Sequence, residues 1–187
     1  MLVDRDGVLN VEAEQGWVVD RAGWHWEDGA LAALDRLAAA GVGVSVVTNQ
    51  SCIGRKVATP DQVAALHDGL VDEVRAQCGL DLRVYVCPHT DQDACACRKP
   101  APGLLLQALA EEDLDPATTL MVGDAERDLE AGRRAGVATA LVRTGKGGTV
   151  DPARHGAVAE AADLLGLVEL LLDGAPQAAD GPHEVVR

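Results

Sequence analysis

Leu2-Val3-Asp4-Arg5-Asp6-Gly7-Val8-Leu9-Asn10 opens the chain with a short apolar run that breaks off at two aspartates one residue apart, and a glycine follows at once. The pattern reads as a buried strand running into a turn, which delivers carboxylates to the strand's carboxyl end. In an extended chain residues i and i+2 share a face, so Asp4 and Asp6 are expected to point into one crevice. Two carboxylates that close repel unless a divalent cation neutralises them, and hard oxygen ligands suit Mg²⁺.

Working outward, the 187 residues leave room for one α/β domain and little more. With 48% hydrophobic residues but no Phe, one Tyr and three Trp, the core must be built from Ala, Leu and Val. A net charge of −14 opposes nucleic acid and anionic membrane surfaces, which both need clustered Lys and Arg. Base gathers only locally, at Arg55-Lys56, Arg98-Lys99 and from Arg143 to Lys146, the pattern of an anion pocket on an acidic body. No apolar run approaches ~18 residues and no charged-then-apolar leader opens the chain, so a soluble, cytoplasmic protein without membrane or nucleic-acid partners is expected.

Apolar runs alternate with helical patterns along the chain. Residues 11–28, with Trp17, Trp24 and Trp26, read as a flap. Asp28 is expected to cap a helix over 29–40, and a strand follows over 42–47. Thr59-Pro60-Asp61-Gln62 is a capping box with proline at the first helical position, opening a helix that closes near Gly79. Strands are expected over 83–86, 119–122 and 137–142, and helices over 104–112, 126–135 and 160–172. Such alternation argues for a parallel sheet covered on both faces. Residues 1–173 form one domain in this reading, with a disordered tail over 174–187 and no interval long enough for an inserted cap.

Ligands of an open parallel sheet bind beyond the carboxyl ends of its strands, and four motifs fall at four such ends. They are Asp4/Asp6, Thr48-Asn49, Arg98-Lys99 and Asp124 with Asp128. Each residue type fits one task in phosphoryl transfer. Asp4 can attack phosphorus, and Asp6 can protonate the leaving alkoxide and then deprotonate water. Thr48 and Asn49 offer donors to phosphoryl oxygens, Lys99 offers compact positive charge, and Asp124 completes a metal site that Asp128 supports from behind.

Taken together, Asp4-Arg5-Asp6-Gly7-Val8-Leu9-Asn10, Val47-Thr48-Asn49-Gln50-Ser51, Cys97-Arg98-Lys99-Pro100 and Val122-Gly123-Asp124-Ala125-Glu126-Arg127-Asp128 resemble, in order, the four motifs of the haloacid dehalogenase (HAD) phosphatases. The resemblance covers residues 2–148. It implies a Rossmann-like three-layer fold with a five-stranded sheet in the order 5-4-1-2-3 and no cap domain. It also implies Asp4 as nucleophile, Asp6 as acid and base, and Mg²⁺ held by Asp4, the Asp6 carbonyl and Asp124.

Cys87-Pro88-His89 followed by Cys95-Ala96-Cys97 places three thiols and an imidazole within eleven residues, which suits a closed tetrahedral Zn²⁺ site of structural type. A disulfide or plain thiols are the plainer reading, but Cys95 and Cys97 are too close to bridge comfortably. The zinc loop narrows the resemblance to a branch containing heptose bisphosphate 7-phosphatases and histidinol-phosphatases. The gap between His89 and Cys95 is shared by both, whereas Thr48 to Ser51 and Leu141 to Lys146 look like the heptose enzymes. By that resemblance Asn49, Gln50, Ser51, Arg98 and Lys99 contact a small phosphorylated sugar, the C7 phosphate of a heptose 1,7-bisphosphate being the expected substrate. Histidinol phosphate or another sugar phosphate is the alternative, and a non-catalytic phosphosugar sensor or zinc-bearing module is the reading from another class. Ala125 stands where the heptose enzymes tend to carry lysine. A monomer is expected.

Overall fold

The computed structural model describes residues 1–13 and 16–174. The tail expected over 174–187 lies, from residue 175 on, outside the described residues.

The strands β1 (Leu2–Val3), β2 (Ser45–Asn49), β3 (Arg83–Cys87), β4 (Leu120–Gly123), β5 (Ala138–Val142) and β6 (Ala159–Ala161) form one parallel sheet in the order β3-β2-β1-β4-β5-β6. The helices are α1 (Ala30–Ala39), α2 (Ser51–Gly54), α3 (Pro60–Cys78), α4 (Gly103–Glu111), α5 (Glu126–Ala135) and α6 (Leu164–Asp173). The opening strand is central, with Leu2 opposite both Ser45 and Met121. Its two residues serve opposite faces: Val3 joins Leu34, Leu37, Leu70 and Leu167 of α1, α3 and α6, and Leu2 joins Leu104, Leu105 and Ala131 of α4 and α5. That period-two division makes three layers from runs that read as continuously apolar, and each fully buried leucine contributes roughly 1.5–3 kcal/mol. Among the described residues no helix is long and apolar enough to cross a membrane.

Local signals set several boundaries. Thr59 accepts from the Gln62 N–H while Gln62 returns a bond to the Thr59 N–H, and Gly79 at φ 66° closes α3. Three expectations are corrected. The sheet has six strands, not five, because residues 159–161 pair with β5 (Ala140 opposite Ala159) instead of starting the last helix. That helix begins after Asp163, whose carboxylate accepts from the Gly166 N–H at 2.8 Å. The first helix is preceded by Gly29 at φ 77° with no side-chain cap, so Asp28 does not cap it.

Candidate active site

The turn after β1 sets the centre of the site. The Asp4 N–H still bonds Val122 of β4 at 2.9 Å, but the Arg5 carbonyl then accepts from the N–H groups of Val8, Leu9 and Asn10 and curls the chain back. Gly7 sits at φ 81°, and a Cβ there would lie 2.3 Å from Asp124 Oδ2, so only glycine fits this turn. The curl separates the two aspartates. They do not share one extended face, as expected of a longer strand, because regular pairing ends at Val3. Asp4 is buried against Lys99, whose Nζ is 2.8 Å from its Oδ1. Asp6 faces the cleft and accepts from Arg5 Nη2 at 2.8 Å, Asn10 Nδ2 at 3.0 Å and Gln50 Nε2 at 2.9 Å. Burial alone would push the Asp6 carboxyl up, but the Arg5 charge and these three donors outweigh it and hold it below the usual carboxylate range.

The end of β2 supplies the next group. Gln50 Nε2 donates to Thr48 Oγ1 at 2.8 Å as well as to Asp6, so the Thr48 hydroxyl keeps its own hydrogen to offer elsewhere. Asn49 does something the sequence did not suggest. Its amide donates to the Lys99 carbonyl at 3.0 Å and its oxygen accepts the Lys99 N–H at 3.1 Å, clamping the lysine's backbone. Asn49 and Ser51 nonetheless border the cleft, with Ser51 opening α2.

Lys99 reaches the centre from the loop after β3. Its side chain is fully enclosed, and Nζ stands 2.7 Å from Asp128 Oδ1 while touching Asp4. Burial would strip the ammonium of its proton, but the charges of Asp128 and Asp4 reverse this and raise its pKa. Asp4 and Asp124 are pushed up to about 6 and about 7, each chiefly by burial; Asp128 adds to both, and Asp4 adds to Asp124. Oxygens of Asp4, Asp124 and Asp128 lie within 4.8 Å of one another, and among the described residues the cationic side chains paired with them are Lys99 and, at 3.8 Å from Asp4, the half-exposed Arg127. Three carboxylates against two cations leave the cluster one positive charge short. Asp124 Oδ1 is buried with no hydrogen-bond partner, while Oδ2 accepts from the Lys146 N–H at 2.8 Å. An orphaned carboxylate oxygen in an acidic cluster fits a divalent cation with oxygen preference. The Asp6 side chain is not in that cluster, so Asp6 could contribute there only through its backbone.

The four sulfur and nitrogen donors also converge. Cys87, Cys95 and Cys97 Sγ atoms lie 3.3–3.7 Å apart, and His89 Nδ1 is 3.2 Å from Cys97 and 3.6 Å from Cys87. A tetrahedron with sulfur arms of about 2.3 Å has edges of about 3.8 Å, so these residues fit Zn²⁺. All five cysteines are free thiols, and Cys52 and Cys78 lie apart from this group. Arg98 follows directly, tied to Asp91 at 2.6 Å and to the His89 carbonyl at 3.3 Å, so the loop fixes its direction.

Between these groups opens a cleft of about 190 Å³ bordered by Asp6, Trp17, Arg98, Arg127 and Lys146, with Glu12 paired to Lys146. Not every basic cluster reaches it. Arg143 turns back onto the Gly147 and Val150 carbonyls and props the loop that presents Lys146. Arg127, three residues past Asp124 on the first turn of α5, is the residue the sequence offers as a stand-in for the lysine that Ala125 replaces, and it borders the cleft; Glu12 had no role assigned from sequence, because its place depends on the path of the flap.

A parallel sheet with an aspartate turn, a buried lysine and an acidic cluster at the strands' carboxyl ends is the arrangement of the HAD-like hydrolases. The family model described as "HAD-hyrolase-like" matches residues 96–166. The chain is 41% identical to the D-glycero-beta-D-manno-heptose-1,7-bisphosphate 7-phosphatase of Pasteurella multocida over 159 residues, covering 81% of this chain and 85% of that protein. It is 39% identical to the enzyme of the same name from Neisseria meningitidis, covering 79% of this chain and 78% of the relative. The crystal structure of D,D-heptose 1.7-bisphosphate phosphatase from B. bronchiseptica, complexed with magnesium and phosphate, superimposes with a TM-score of 0.84 at 36% identity, covering 94% of this chain and 98% of the other. The chain belongs to the HAD phosphatases, in the branch of the heptose-1,7-bisphosphate 7-phosphatases. It is a phosphoric monoester hydrolase.

Proposed function

We propose that this enzyme removes the C7 phosphate of D-glycero-D-manno-heptose 1,7-bisphosphate with Mg²⁺ bound at Asp4, Asp124 and the Asp6 carbonyl. The observation that carries the reading is the buried Lys99 ammonium, 2.8 Å from Asp4 and 2.7 Å from Asp128. A lysine so enclosed neutralises a carboxylate that must approach a phosphate dianion. Asp4 attacks phosphorus, the bond from phosphorus to the sugar oxygen breaks, and Asp6 gives its proton to the departing alkoxide. Asp6 then takes a proton from water, whose oxygen attacks the aspartyl phosphate, releasing inorganic phosphate and restoring Asp4. Asp6 is ionised at rest, and an arriving dianion raises its proton affinity so that it can begin the cycle as an acid. Thr48 and Ser51 donate to phosphoryl oxygens, Asn49 holds Lys99 in place, and Gln50 orients Asp6. Bound Mg²⁺ supplies the missing positive charge on the transferring phosphoryl group.

Arg98, Arg127 and Lys146, which line the cleft, suit the second phosphate of the same sugar, which histidinol phosphate lacks. The relatives named above add to that side. Zn²⁺ on Cys87, His89, Cys95 and Cys97 is structural in this reading and aims Arg98 and Lys99. Steady-state kcat/KM on the heptose bisphosphate, histidinol phosphate and simple sugar phosphates tests the substrate. The bisphosphate should be preferred by tenfold or more, on the order of one lost charged contact. Equal or better rates on histidinol phosphate would overturn it.

A further inference from the structure

Arg5 stands between the two aspartates yet turns into the protein and is fully buried. Its Nη2 donates both to Asp6 Oδ1 at 2.8 Å and to the Val18 carbonyl of the flap at 3.0 Å. Its Nη1 lies 3.0 Å from Nε2 of His67, a buried residue on α3. A guanidinium carries donors only, so His67 must accept at Nε2 and hold its hydrogen on Nδ1. Burial, and after it the Arg5 charge, pushes the imidazole down to about 4, so it stays a neutral acceptor through the neutral range. The Trp24 ring, 5.8 Å from Arg5 Cζ, closes another side. One guanidinium thus joins the turn after β1, the flap and α3. Among the described residues, His67 is its only hydrogen-bonding side chain from outside that turn.

We infer that His67 is a positioning residue for Asp6: by accepting from Arg5 Nη1 it fixes the guanidinium plane, so that Nη2 holds the acid/base carboxylate and the flap carbonyl together. The inference rests on the reading of Asp6 as acid and base. Without the acceptor, Nη1 becomes a buried donor with no partner, and the plane rotates to find another oxygen, taking Nη2 away from Asp6. The Asp6 carboxyl then meets the leaving oxygen with poorer geometry, and the reactions that suffer are those that need its proton.

Leaving-group dependence reads this out. kcat/KM reports aspartyl-phosphate formation, in which a sugar alkoxide needs a proton from Asp6 and p-nitrophenolate leaves without one. The measurement is kcat/KM for the heptose bisphosphate and for p-nitrophenyl phosphate, on holoenzyme whose folding is checked by thermal melting. In His67→Leu the alkyl-to-aryl ratio should fall about tenfold, and in His67→Gln, where Oε1 can stand in for Nε2, it should stay within about threefold of wild type. His67→Asn, too short to reach Arg5, gives the same loss if the leucine variant does not fold. Equal losses on both substrates, no loss, or failure of the glutamine variant to restore the ratio overturns the inference. Asp6→Asn separates the underlying reading: it should lower the same ratio by about 10²–10⁴, and if it does not, the acid role of Asp6 fails on its own account.

Discussion

Replacing Lys99 by methionine removes the fully buried cation of the acidic cluster while nearly keeping the side chain's length. Each of its contacts, 2.8 Å to Asp4 and 2.7 Å to Asp128, is worth about 6 kcal/mol of attraction at an effective dielectric of about 20. Desolvating the ammonium takes much of that back, and removing one partner of a buried pair costs about 3–5 kcal/mol net. For a domain of this size that is a fall in Tm of about 6–20 °C at pH 8. The loss depends on pH in a definite direction. Asp4 and Asp124 already sit at about 6 and about 7, and without the ammonium both rise further. Protonated carboxyls need no counter-charge, so the variant should lose much less stability at pH 5 than at pH 8. Thermal melts of both proteins in Mg²⁺-free buffer at the two pH values measure this, and kcat/KM with Mg²⁺ should fall by about 10²–10³. A Tm unchanged at pH 8, or a larger loss at pH 5, would refute the placement of Lys99 as counter-ion to this cluster.

Two further outcomes concern the ions. The raised pKa values of Asp4 and Asp124 mean that the metal-free folded protein binds protons the unfolded chain has released, so its stability falls as pH rises from about 4 to about 7. Mg²⁺ displaces those protons, and the rise in Tm on adding it should be larger at pH 8 than at pH 5.5; an equal rise would speak against metal binding at these carboxylates. Stripping Zn²⁺ with a chelator should lower Tm by several degrees and reduce kcat less than it reduces the folded fraction. A Tm unmoved after metal loss is verified would contradict a structural role for Cys87, His89, Cys95 and Cys97.

The features legible in the sequence are those governed by local chemistry. The Thr59 capping box, the glycine at the end of α3 and the alternation of apolar strands with helices follow from neighbours in the chain. Pairing across the sheet is not local. Ala159-Glu160-Ala161 consists of good helix formers, and only its place beside β5 makes it a strand. The carboxylate of Asp163, sitting three residues before the glycine it bonds, marks the helix start. Within the site, chain order brought Asp4, Lys99, Asp124 and Asp128 together as expected of strand ends. What side chains do once there was less legible: Asn49 spends its amide on the Lys99 backbone, and Arg5 is buried because a charged residue beside two aspartates found an acceptor on α3. A charge on the inward side of an apolar strand end is the signal that could have marked Arg5, since such a group is seldom buried without partners.

In the proposed mechanism Asp4 carries the phosphoryl group. Acid-quenching the enzyme during turnover of the heptose bisphosphate with Mg²⁺, followed by peptide mass analysis, locates the adduct directly. A phosphoryl adduct on Asp4 is expected, absent with Asp4→Asn, which should fold but not turn over; an adduct elsewhere, or normal turnover by that variant, would contradict this assignment.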